Sequence, residues 1–223
     1  MRKKVALAIL LLAVLASLAY AQKKKSSGSI IIGNKIGQPA KEEVAGELNV
    51  SDEYQIYSSV IVSLFGDDKA QSLVIRRMSL NRTVRDFNDR DIRLVVKADF
   101  PKLDYKTLDD FVSKNGKSYE LSAQHFNIQG KIILVTDTDR VTAGAKTCEA
   151  HWRKFYRVYP TAKGYMIFTR VGFNPEKTQA FVYADYWSHC KEGEGQFYFL
   201  QNNGGGWKVT RTQTMWNSKF YPG

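Results

Sequence analysis

Two cysteines and two histidines form the densest group of chemically capable side chains in the 223-residue sequence: Cys148 and His151, and the neighbours His189 and Cys190. On a helix the Cys-x-x-His spacing turns both side chains toward one side, so the four residues could hold a tetrahedral zinc ion. Against zinc, adjacent residues of an extended chain point to opposite sides, so His189 and Cys190 do not naturally face one metal. A cysteine beside a histidine could also be a nucleophile, which needs an activating base and a third group to orient it. Two separate thiols, or one disulfide between Cys148 and Cys190, complete the alternatives. An oxidising compartment favours the disulfide.

Asp185 lies among Tyr183, Tyr186 and Trp187. A carboxylate on an aromatic face can act as an acid or base, and with His189 or Cys190 it could serve a hydrolase. A place on the solvent face, or a pairing with a basic side chain, is the structural alternative. There is no Gly-x-Ser-x-Gly, and His125, His151 and His189 are the only imidazoles available as bases. Asp137-x-Asp139 resembles a fragment of an oxygen-ligand loop whose remainder is missing. Tyr186 and Trp187 could line a groove for a glycan, peptide or lipid, or simply build the core of a sheet. Arg153, Lys154 and Arg157 would share the outer side of a helix and could meet an anionic component of the cell envelope. No motif calls for a cofactor.

The elements that position these residues begin after an export signal. Arg2, Lys3 and Lys4 precede an unbroken apolar run from Val5 to Ala16, and Ala19-Tyr20-Ala21 is a small-x-small cleavage pattern. Residues 1–21 are therefore expected to be a signal peptide, with the mature chain starting at Gln22 in the periplasm or outside the cell. Val5 to Ala21 is short for a membrane span, so an integral membrane protein is not expected after cleavage, although an uncleaved anchor is the alternative. Residues 22–45 read as a basic tether and loop, with Ile30–Ile32 as a short apolar patch, and 46–223 as a single domain. The formal net charge of +11 loses three of its positive charges with the signal. In an exported protein this balance fits solubility or an anionic surface, and no nucleic acid is expected. Hydrophobic content of 43% with 12 Phe, 12 Tyr and 4 Trp marks a chain that buries a core.

Ser51 is expected to cap a first helix that Gly66 ends, with Tyr54, Tyr57, Ile61 and Leu64 inward. Leu73-Val74-Ile75 and Lys131–Val135 read as short strands. Residues 89–100 fit a helix or a strand equally. Thr107 would cap a short helix ending at Asn115-Gly116. Between Ala145 and Tyr159, Cys148, Trp152, Phe155, Tyr156 and Tyr159 form one apolar helix face, and Pro160 ends it. From Tyr165 the period becomes two. Tyr165–Val171, Thr178–Trp187, Gln196–Leu200 and Trp207–Thr212 read as strands joined by Asn174–Lys177, a loop around Gly193 and Gly195, and Asn202–Gly206. The expected fold is α+β: N-terminal and central helices packed on a C-terminal antiparallel four-stranded meander.

Several blocks of these elements resemble a group of exported bacterial proteins of unassigned function. They are Asp52–Ser58, Thr107–Phe111, Phe155-Tyr156 with Tyr159-Pro160, Arg170–Ala180 and Gly206–Val209. The resemblance implies an envelope location and a single domain, and it carries no catalytic residues. That group often has a Cys-rich, Gly-rich loop after the second meander strand. Here the loop, Trp187–Gly195, holds one cysteine, so no disulfide can form within it. The function expected is a non-enzymatic binding or accessory domain of the envelope, with a hydrolase using His189 and Asp185 or Cys190 as the alternative.

Overall fold

A computed structural model describes residues 44–47, 50–81, 89–136 and 142–218. The expected signal segment, the tether with Ile30–Ile32, and Asp137-x-Asp139 lie outside the described residues. Two apolar runs without alternation, Leu73–Ile75 and Ile132–Val135, form β2 (Ser72–Arg76) and β4 (Lys131–Val135). They pair in parallel, with Leu73 opposite Ile132 and Ile75 opposite Leu134. Such continuous runs suit parallel strands, which are covered on both faces. On its other side β2 pairs in parallel with β5 (Ala162–Phe168). Beyond β5 the pairing is antiparallel through β7 (Gln179–His189), β8 (Glu192–Asn202) and β9 (Trp207–Asn217), while β6 (Gly172–Phe173) pairs with β7. A small separate sheet joins β1 (Val44–Glu47) in parallel to β3 (Ser118–Glu120).

The expected antiparallel run is thus present, but the sheet is mixed and, among the described residues, has seven strands, not four, in the order β4-β2-β5-β7-β8-β9 with β6 on β7. The short turns at Asn174–Lys177 and Asn202–Gly206 announce antiparallel neighbours in the sequence. Parallel partners need long crossovers, so no local turn signal marks their pairing.

Helix ends also differ from expectation. α1 (Ser51–Phe65) follows Val50, which supplies no side-chain cap, and Gly66 ends it at φ 74°. α2 (Asp89–Asp99) settles the ambiguous stretch: Ile92 and Val96 are buried four residues apart while Leu94 is 62% exposed, which is the helical period. α3 (Tyr105–Lys114) is capped by the Asp104 carboxylate, which accepts from the Lys106 amide, and Thr107 is buried inside it. α4 (Cys148–Val158) is capped by Thr147, whose hydroxyl accepts from the Ala150 amide. Trp152 and Phe155 are buried there, but Cys148 is exposed rather than inward.

The two faces of β7 show how the sheet is covered. Ala180, Val182 and Ala184 pack with Tyr54, Tyr57 and Ile61 of α1. Phe181 and Tyr183, on the other face, pack with Val96 of α2 and Phe111 of α3, and α4 covers Val74 of β2 on that same face. The aromatic sheet therefore lies between helices on both faces. Gly193 and Gly195 belong to β8, and the turn is Cys190-Lys191. A Cβ on Gly193 would lie 2.4 Å from Trp187 Cδ1, and one on Gly195 2.0 Å from Trp216 Nε1, so both positions admit a ring against bare backbone. Among the described residues, no helix is long and apolar enough to cross a membrane.

Candidate functional site

Three elements distant in sequence meet at an open cleft of about 430 Å³. The start of α1 supplies Val50 and Asp52, and α3 supplies Lys106, Asp109, Asp110 and Lys114. The turn after β6 supplies Phe173, Asn174, Pro175 and Lys177. The volume falls in the range of roughly 300–1,000 Å³ usual for ligand clefts.

The walls are braced by side chains that bond backbone. Asn174 Oδ1 accepts from the amides of Thr178 and Gln179 at 2.9 and 2.7 Å, and its Nδ2 donates to Glu176 and Thr178. This holds Lys177 at φ 50°, with its ammonium paired to Asp52. Asp110 Oδ2 accepts from the Phe173 amide at 2.8 Å and from Lys114 Nζ at 2.7 Å. Lys114 also donates to the Val171 carbonyl and sits 5.1 Å from the Phe173 ring centroid. Asp109 pairs with Arg93 at 2.7 Å. The lining carries ammonium and carboxylate groups beside apolar side chains, and no Ser, Thr, Cys or His is among the described residues that form it. Such a surface can hold charged groups but supplies no nucleophile.

Next to this cleft, the residue after Asp52 turns inward. Glu53 is fully buried and accepts from Arg170 Nε at 2.8 Å and Nη2 at 2.6 Å, from the Val171 amide at 3.1 Å, and from the Tyr57 hydroxyl at 3.2 Å. Arg170 also stacks 4.1 Å from the Tyr119 ring centroid, and its amide donates to Asn115 Oδ1 at 2.7 Å. Burial works against the Arg170 charge, but the hydrogen bonds and charge of Glu53 outweigh it and raise its pKa. Burial first, and the Glu53 charge second, push the Tyr57 phenol well above its usual range. The network ties α1, α3 and the chain before β6 together, which fixes the cleft walls.

Cys148 and Cys190 pair as a disulfide, with Cα atoms 5.8 Å apart, joining α4 to the β7–β8 turn. Both thiols are consumed, so neither a Cys-His nucleophile nor a four-ligand zinc site with His151 and His189 is assembled. Among the described residues, no three or more His, Cys, Asp or Glu gather as metal ligands. His151 packs edge-on against Trp152.

Asp185 is not on the solvent face. It is fully buried, and its Oδ1 accepts from the Tyr183 hydroxyl at 2.5 Å and Trp216 Nε1 at 2.9 Å. His189 is exposed at the end of β7, opposite Glu192. It lies four positions along the strand from Asp185, about 13 Å between Cα atoms, too far for the two to share a proton. Arg153 and Arg157 are exposed on α4 as expected, while Lys154 donates to the Ala143 carbonyl. Tyr186 packs on Phe65 on the α1 face and Trp187 on Tyr165 on the α4 face, so the two do not line one groove.

Neither the charged cleft nor the Glu53–Arg170 pair has a local mark in the sequence. Asp52-Glu53 reads as two dipole-favoured acids at a helix start, and nothing local shows that the second is turned inward to a partner 117 residues away. No family model, curated protein or solved structure matches the chain.

Proposed function

We propose that this chain is an exported domain that binds a component of the cell envelope without transforming it, using the cleft between α1, α3 and the β6–β7 turn. The observation that carries this reading is the convergence of three separate sequence blocks on one open, braced cleft. Its accessible groups are ammonium, carboxylate and apolar surface. The buried acids are engaged elsewhere: Glu53 holds Arg170, and Asp185 holds Tyr183 and Trp216. The disulfide suits an oxidising compartment, and the basic balance of the chain favours an anionic envelope partner. The hydrolase alternative loses its pairs, because Asp185 and His189 are apart and Cys190 is oxidised.

Co-sedimentation of the purified chain with isolated envelope fragments tests this. The double variant Lys106→Ala/Lys177→Ala changes two exposed cleft lysines and should lower retention about tenfold, equivalent to roughly 1.4 kcal/mol. Retention equal to wild type would contradict the reading. So would ester or amide hydrolysis that disappears in Asp185→Asn.

A further inference from the structure

A second groove, of about 510 Å³, continues the charged cleft along α1. Asp52, in the cleft, is followed at helical spacing by Gln55, Ser59 and Ser63, which line the groove. At the junction the Phe173 ring of the cleft lies 5.7 Å from the ring of Trp207, which walls the groove from β9. The chemistry changes along this path. Among the described residues, three lysines and three aspartates line the cleft, whereas the groove is lined by one charged group, Lys208, and no carboxylate.

Hydroxyls and amides replace the charges. Ser59 and Ser63 donate to the carbonyls of Gln55 and Val60, both at 2.8 Å, which leaves each hydroxyl oxygen able to accept. The Gln55 and Asn127 side chains are exposed and offer an N–H donor pair and a carbonyl acceptor each. Trp207 and Val209, both half-buried, give the groove an apolar wall. An apolar chain laid here would strip water from hydroxyls and amides without returning hydrogen bonds. An anionic headgroup would find a single lysine. A ligand dense in hydroxyls, uncharged, and with flat C–H faces satisfies both walls.

We propose that this groove is a subsite for a neutral glycan, with Gln55, Ser59 and Asn127 bonding its hydroxyl or acetamido groups and Trp207 meeting a sugar ring. The proposal rests on the envelope-binding reading and names the ligand class for the neighbouring stretch of the same surface.

Calorimetric titration with the tetrasaccharides of glucose and of N-acetylglucosamine tests it on the full chain. At least one should bind, and Gln55→Ala and Asn127→Ala should each raise its Kd about tenfold. Both positions are exposed, so these variants report binding and not folding; Trp207→Ala is a third variant, read only if its thermal midpoint is retained. Failure of both sugars to bind at millimolar concentration would overturn the proposal, as would binding insensitive to Gln55→Ala and Asn127→Ala. Envelope retention that depends on Lys106 and Lys177 while neither sugar binds overturns the glycan assignment alone. Retention indifferent to those lysines overturns the parent reading instead.

Discussion

The Glu53 carboxylate and the Arg170 guanidinium meet in the interior, with side chains 0% and 7% exposed and Nη2 2.6 Å from Oε1. Removing one member leaves the other charge buried without its partner, which costs about 3–5 kcal/mol. Glu53→Ala should therefore destabilise by that amount in urea denaturation, and Arg170→Ala should do likewise. The double variant Glu53→Leu/Arg170→Met should lose less than the sum of the two. Additive losses would mean that the two residues do not act as a pair.

The disulfide between Cys148 and Cys190 uses both cysteines of the sequence. Oxidised protein should show no free thiol under denaturing conditions. Reduction should lower stability by about 2–4 kcal/mol, because the link constrains the unfolded chain. Two titratable thiols in air-handled protein would contradict this.

Gly195 lies under the Asp185–Tyr183–Trp216 group, where an added Cβ would approach Trp216 Nε1 at 2.0 Å and Asp185 Oδ1 at 2.5 Å. Gly195→Ala should displace the indole and lower stability by about 1–3 kcal/mol through overpacking. Gly205→Ala, with nothing within 4 Å, should be near neutral. Near-ultraviolet circular dichroism should change in the first variant only. An unchanged spectrum and unfolding midpoint for Gly195→Ala would refute the tight approach.

Burial first, and then the neighbouring Tyr186 and Glu192, push the Tyr156 phenol up to about 12 from the ordinary 10.0. Burial shifts Tyr57 and Tyr198 upward as well. The folded state therefore keeps protons that the unfolded chain releases. The stability linked to the Tyr156 phenol is fully present below pH 10 and is lost as pH rises toward 12. Unfolding midpoints should fall across that window, and Tyr156→Phe should flatten the fall. A fall of equal steepness in wild type and Tyr156→Phe would contradict the assignment.

What was legible in the sequence was local or periodic. The period of two from Tyr165, the Asn174–Lys177 and Asn202–Gly206 turns, and the Trp152–Phe155 face of α4 each arise from neighbouring residues. The pairing of Cys148 with Cys190 needed only that the chain holds two cysteines. Parallel placement of Val74 between Ile133 and Tyr165 was not legible, because it depends on crossovers tens of residues long. Nor was the cleft, whose walls join Asp52, Asp110 and Lys177. The sequence offers Asp185 as a candidate acid or as a carboxylate on the solvent face or paired with a base; it sits instead among aromatic donors that only the register of β7, β8 and β9 brings to it.

Hydrogen–deuterium exchange of the full chain, with and without isolated envelope fragments, tests the proposed role of the cleft most directly. Slower exchange is expected at the start of α1, along α3 and in the turn 173–178, because a bound partner shields and stiffens those amides. The β4 edge and the exposed face of α4 should exchange as before. Protection confined to α4, or none anywhere despite retention of the protein on the fragments, would contradict the assignment of the cleft as the binding site.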